Sequence, residues 1–174
     1  LIFETHATSL DNEAGLASGW FDVDLSPLGE SQARELGGRY RDCELTRVIC
    51  SDLRRSYRTA ELAFAGRRVF IARDPRLREC DYGALTRRPA PEIEAMRSRS
   101  VQTPFPDGES YEQVAQRVHA CLTEIGSLQP RGNVLVIGHR ATFYALEHLL
   151  KGAPLADAVA APWRWQPGWS YPIC

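Results

Sequence analysis

The run Leu1-Ile2-Phe3-Glu4-Thr5 leads into His6, and the run Asn133-Val134-Leu135-Val136-Ile137-Gly138 leads into His139. Both runs read as β-strands from their length and their aliphatic and β-branched content. In an open α/β sheet, ligands bind beyond the carboxyl ends of the strands. Two imidazoles delivered to that edge can share one site although they lie at opposite ends of the sequence. Between them fall Ser51-Asp52-Leu53-Arg54-Arg55, after a third apolar run, and Leu77-Arg78-Glu79, before a Tyr82-Gly83 turn. Two histidines, an arginine and a carboxylic acid are the parts of a covalent phosphoryl-transfer site.

Outward from these runs, strands and helices alternate. Ser26 is a helix N-cap with Pro27 at the first helical position, and that helix extends to about Tyr40. Residues 46–50 form a second strand, Ser51 or Asp52 caps a helix to about Ala65, and residues 68–71 form a third strand. The pattern weakens from Glu79 to Phe105. Pro89-Ala90-Pro91 and the residues after it suggest a short helix inside an insertion at about 84–106. Ser110 opens a helix with the apolar rhythm Val114, Val118, Leu122, Ile125. A last helix covers about 141–151, and the tail carries Trp163, Trp165, Pro167, Trp169 and Pro172. This alternation predicts a mainly parallel central sheet covered on both faces, a three-layer α/β/α sandwich.

At 174 residues the chain has the size of a single domain, read as spanning 1–174. It is 44% hydrophobic and 25% charged, ordinary for a globular protein. A formal net charge of −1 gives no bulk electrostatic case for nucleic acid or an anionic membrane surface. No apolar run approaches the roughly 18 residues of a membrane span. No secretory signal is visible at the start. The five cysteines, Cys43, Cys50, Cys80, Cys121 and Cys174, are odd in number, scattered and without a CxxC pair. They read as reduced thiols in a cytoplasmic protein, with neither a disulfide framework nor a metal site expected.

The order of short motifs resembles the histidine phosphatase superfamily (phosphoglycerate mutase-like). It runs through Thr5-His6-Ala7-Thr8-Ser9-Leu10-Asp11-Asn12 and from Gly19-Trp20-Phe21-Asp22 to Ser26-Pro27-Leu28-Gly29-Glu30-Ser31-Gln32-Ala33. It continues through Ser51–Glu61, Leu77-Arg78-Glu79-Cys80-Asp81-Tyr82-Gly83, Asp107-Gly108-Glu109-Ser110 and Gly138-His139. The resemblance covers about positions 1 to 150. Two positions depart from it. Where that family carries Arg before the first His, this chain has Thr5, and where it carries Gly after the second, this chain has Arg140.

The resemblance implies a phosphoglycerate mutase-like fold, no cofactor, and a role for each residue. His6 is the nucleophile, since a neutral imidazole near its ordinary pKa of about 6.5 is reactive at neutral pH. His139 donates to the phosphoryl oxygens, and Arg55 clamps them with its planar guanidinium. Glu79 is the general acid and then the base for water, with Asp81 as the alternative. Thr5, Thr8, Ser9 and Asn12 are read as phosphate or substrate ligands, Asn12 by alignment with a phosphate-contacting Asn. Arg140 is expected to replace in part the guanidinium missing at Thr5. Arg54, His119 and His148 read as bystanders. Arg87 and Arg88 read as solvated loop residues, with a second charged group of the substrate as the alternative.

The function so implied is a phosphomonoesterase acting through phosphohistidine on a small phosphorylated metabolite. The alternatives are phosphoglycerate mutase-type transfer and a non-catalytic phospholigand-binding or regulatory module. No nucleic-acid or membrane partner is expected, and a homodimer is left open.

Overall fold

A computed structural model describes residues 1–128 and 132–172. Five strands form one sheet: β1 (Ile2–Thr5), β2 (Leu45–Cys50), β3 (Phe70–Arg73), β4 (Asn133–Gly138) and β5 (Trp169–Ser170). Their spatial order is β3-β2-β4-β1-β5. All pairings are parallel except β1 with β5. The two segments that carry the histidines are therefore neighbours, in a register that sets Thr5 against Gly138.

Side chains alternate between two cores, which is why β4 is apolar from Val134 to Ile137. Leu135 and Ile137 of β4 and Val48 and Cys50 of β2 face one helical layer. That layer is α2 (Pro27–Arg39) and α3 (Arg54–Ala63), which contribute Leu36, Ala60 and Ala63. Val134, Val136, Ile49 and Phe3 face α5 (Tyr111–Ser127), α6 (Arg140–Lys151) and α7 (Leu155–Ala160). The result is the three-layer α/β/α sandwich. Glu4, buried in β1, breaks the apolar pattern, but its carboxylate accepts from Tyr40 (2.8 Å) and pairs with Arg39 (3.1 Å). Those bonds offset the cost of burying the charge.

Helix starts follow local chemistry in two places. Ser26 caps α2 by accepting from Gly29 N–H, and Ser110 with Gln113 makes a capping box on α5. At α3 the expectation fails. Neither Ser51 nor Asp52 caps it; the N-cap is Leu53, without a side-chain bond. The Arg54 N–H instead donates to Asp22, far off in sequence, at 2.6 Å. Asp52 is drawn away by a bidentate pair with Arg78. The third strand lies at Phe70–Arg73 rather than 68–71, because Arg47 of β2 registers with Phe70.

The insertion folds as a 3-10 turn at Gly83–Leu85 and a helix, α4 (Ala90–Met96). The tail rich in Trp and Pro supplies the edge strand β5, and α7 lies just before it. Phe3, Phe143, Trp163 and Trp169 stack together there, with ring centroids 5.2–6.3 Å apart. Cys50, Cys80 and Cys121 are buried thiols; Cys174 lies outside the described residues. No helix among the described residues is long and apolar enough to cross a membrane.

Candidate active site

The register of β1 and β4 delivers the histidines side by side. His6 N–H continues the ladder by donating to Gly138 O at 3.0 Å. His139 is the N-cap residue of α6, and its N–H donates to Thr142 Oγ1. A Cβ on Gly138 would stand 2.8 Å from Thr142 Oγ1 and 3.2 Å from the Phe3 ring, so the approach needs glycine. The two imidazole centroids are 4.9 Å apart.

Both rings line a cavity of about 320 Å³. His6 Nδ1 lies 2.7 Å from Ala7 O. A carbonyl can only accept, so Nδ1 carries the proton and Nε2 holds the free lone pair. His139 is 0% exposed to bulk solvent, and neither ring nitrogen has a partner among the described residues. A buried imidazole with both nitrogens unsatisfied calls for a polar ligand.

Arg55, the second residue of α3, is 2% exposed and borders the same cavity. Its guanidinium donates to Gly19 O (2.8 Å) and Phe21 O (3.0 Å), which fixes its plane and leaves further N–H donors free. Glu79 completes the group. Its Oε1 accepts from Cys80 N–H (2.8 Å) and Ala141 N–H (3.2 Å), leaving Oε2 to hold or lose a proton. Asp81 turns away and accepts from Gly83 N–H, so it serves the turn.

The environment sets the charges. Burial, then the Arg55 charge, push the His6 pKa down to about 3, against the opposing Ala7 bond. Burial, then Arg55 and His6, hold His139 well below the ordinary range. Both rings are neutral at pH 7. Burial raises the Glu79 pKa, opposed by its two N–H donors and by Arg55.

The remaining candidates divide. Thr5 and Asn12 border the cavity. Asn12 Oδ1 is taken up by Ser9, which leaves Nδ2 as the group it can offer. Ser9 is fully buried and caps a short helix, α1 (Leu10–Glu13), so it does not reach the cavity. Thr8 does not reach it either. It borders an adjoining cavity of about 360 Å³ with Gln32, Glu35 and Arg39, which shares Thr5, His6, Asn12 and Trp165 with the first, and its N–H donates to Gln32. A Cβ on Gly29 would come within 1.9 Å of Thr8 O, so the loop lies directly on α2. Arg140 does line the cavity of the histidines, but it pairs with Glu94 of α4 and lies over the rings of Tyr144 (5.7 Å) and Trp163 (5.5 Å). Its Nε is buried and unpartnered among the described residues. Arg54 is exposed and pairs with Asp24; Arg87 and Arg88 pair with Asp11 and Glu92.

The model of the histidine phosphatase superfamily (branch 1) matches residues 1–165. The chain belongs to the histidine phosphatase superfamily. Its relatives include the protein named "Probable phosphoglycerate mutase GpmB" of Erwinia tasmaniensis, 34% identical over 86% of this chain and 73% of the relative. Among solved structures, a mycobacterial glucosyl-3-phosphoglycerate phosphatase, solved with VO3, superposes with a TM-score of 0.83. It shares 26% identity over 93% of this chain and 86% of that one. Bacillus stearothermophilus YhfR is also 26% identical with a TM-score of 0.83, over 95% of this chain and 86% of that one.

Beside the residues expected for a member of this superfamily, the chain has supporting residues that its sequence did not single out. Arg117 of α5 donates to the carbonyls of Arg76 (2.7 Å), Arg78 (2.7 Å) and Glu79 (2.9 Å) and pairs in bidentate fashion with Glu109. Trp20 Nε1 also donates to Glu79 O, at 2.7 Å. Together these hold the backbone of the candidate acid. Glu109 lay in a quoted motif, but nothing local linked Arg117 to the segment before Tyr82. Glu94 and Trp165 sit in the stretches with the weakest pattern.

Proposed function

We propose that the protein is a phosphomonoesterase that works through a phosphohistidine at His6. The observation that carries this is the convergence of a bare His6 Nε2, His139, Arg55 and Glu79 on one cavity. His6 Nε2 attacks phosphorus with its lone pair, and the bond from phosphorus to the ester oxygen breaks. Glu79 gives its proton to the departing oxygen, so the alcohol leaves neutral. Water then attacks the phosphohistidine, Glu79 takes a proton from it, and cleavage of the phosphorus–nitrogen bond restores neutral His6.

The pocket's main contribution is charge stabilisation, because a loose phosphoryl transition state places its charge on the equatorial oxygens. Arg55 and His139 are the donors placed for it, with Asn12 Nδ2 and Arg140 Nε–H beside them. Thr5 can add a hydrogen bond and no charge. A metal-independent reaction on a small metabolite fits this set of groups.

Mutase-type transfer is the second reading, favoured by the name of the Erwinia relative. Incubation with 3-phosphoglycerate and a bisphosphoglycerate primer separates the two. Release of inorganic phosphate from phenyl phosphate or glucose 1-phosphate, with no 2-phosphoglycerate formed from 3-phosphoglycerate, supports the phosphatase, and isomerisation supports the mutase. Binding of phosphate esters with neither product, and no acid-labile phosphohistidine, would indicate a binding module.

A further inference from the structure

We infer that the substrate's alcohol is an uncharged ring, seated against Trp165. This deepens the phosphatase reading and rests on it. Two independent observations lead there.

The first is what the cavity lacks. Its cationic wall residues are Arg55 and Arg140. Arg55 lies beside the histidines and serves the transferring group. The terminal nitrogens of Arg140 are taken by Glu94, which itself lines the wall. Arg87 and Arg88 near this edge pair with Asp11 and Glu92, and Arg39, in the adjoining cavity that His6 and Trp165 also border, pairs with buried Glu4. A carboxylate or second phosphate on the alcohol therefore finds a committed arginine and a like-charged Glu94. Like charges set close together disfavour the wrong ligand.

The second is what the wall presents instead. Leu16, Ala17, Tyr82, Ile93, Trp163 and Trp165 line the cavity. Trp163 is built into the fold by Phe143, Trp169 and Arg140. Trp165 is different. It is 58% exposed at the cavity wall, and among the described residues no ring or cation stacks on it. A large indole left facing a polar reaction site offers a flat apolar face to whatever enters. The complementary group is a ring with an apolar face, aromatic or saccharide, and free of charge. Trp165 is thus a specificity-determining residue.

The test separates binding from turnover. Affinities are measured by calorimetry on the His6→Ala variant, which cannot turn substrate over. The ligands are phenyl phosphate, glucose 1-phosphate, glycerol 2-phosphate and 3-phosphoglycerate. The ring esters should bind at least about tenfold more tightly than 3-phosphoglycerate. Adding Trp165→Ala should weaken the ring esters about fivefold more than glycerol 2-phosphate, the scale of one stacking contact, and Trp165→Phe should recover most of that loss. The two ring esters tell an aryl face from a sugar face. Tightest binding of 3-phosphoglycerate overturns the inference. So does an equal effect of Trp165→Ala on all four ligands, or an effect confined to self-association in sedimentation, which would make Trp165 an interface residue. Phosphate release and phosphohistidine formation by the unaltered chain on the same four esters test the phosphatase reading separately.

Discussion

The Nδ1–H of His6 donates to the carbonyl oxygen of Ala7 at 2.7 Å, and this bond leaves Nε2 as the nitrogen able to react. Because the His6 pKa is pushed down to about 3, the lone pair is available across the whole neutral and mildly acidic range. The rate kcat/KM should therefore show no acid limb from His6 down to about pH 4. His6→Ala should abolish both turnover and the acid-labile, base-stable phosphoenzyme, as followed by radiolabel retention. Retained turnover would remove His6 from the reaction.

Glu79 must be protonated to act as the acid, and burial raises its pKa, so activity on alkyl phosphates should fall as pH rises through that value. Glu79→Gln cannot give up a proton. It should lower kcat on an alkyl phosphate by roughly a hundredfold or more. The loss on p-nitrophenyl phosphate, whose leaving group needs no proton, should be far smaller. Equal losses on both esters would move the acid elsewhere.

The depressed pKa of His139 also links stability to pH. Unfolded, the ring binds a proton near pH 6.5; folded, it resists protonation well below that. The unfolded state then binds more protons, so stability drops as pH falls below about 6.5. His139→Gln should flatten that drop. Urea midpoints at pH 7.5 and 4.5 measure it, and an unchanged difference between them would assign the effect to other groups.

Arg140 borders the cavity of the two histidines, with its Nε–H unpartnered among the described residues and its terminal nitrogens held by Glu94. Its removal should lower kcat/KM at least about tenfold, the scale of one charge-assisted contact. The alternative is a purely structural brace between α4 and α6. In that case Arg140→Ala lowers the melting temperature and leaves kcat/KM as it was.

Arg117 and Glu109 are mostly buried, with side chains 16% and 18% exposed. Arg117→Met would take this donor from the carbonyls of Arg76 and Arg78 and the cationic partner from Glu109, while Glu79 O keeps Trp20 Nε1–H and Glu109 keeps Asp81 N–H. Breaking such a pair costs about 3–5 kcal/mol, which denaturant unfolding should show. Arg117→Lys should keep part of the stability yet lower kcat more than it raises KM, since the Glu79 backbone loses its multiple hold.

The sheet and the facing histidines were legible because they depend on local signals: apolar runs, and a residue placed directly after each. Arg55 and Glu79 were reached through motif spacing. What escaped the sequence was set by distant partners. Asp22 caps α3 from another loop. Ser9 looked like a phosphate ligand because its hydroxyl chemistry suits both roles, and helix capping claimed it. Arg140 was identified as unusual, but its pairing depends on how α4 folds back, and nothing in residues 84–106 states that. The edge strand β5 is two residues long, Trp169–Ser170, too short for any periodicity to show.

The Thr5–Gly138 register has a kinetic consequence. It joins residues 133 positions apart in a chain of 174, the kind of closure that forms late because of its entropic cost. A slip of one residue would swap the faces of every side chain on β1 and separate the two imidazoles. Chains still collapsing, or paired in the wrong register, thus carry a chemically inert collection of groups. After dilution from denaturant, recovery of turnover should follow the slowest refolding phase and trail the return of helical signal.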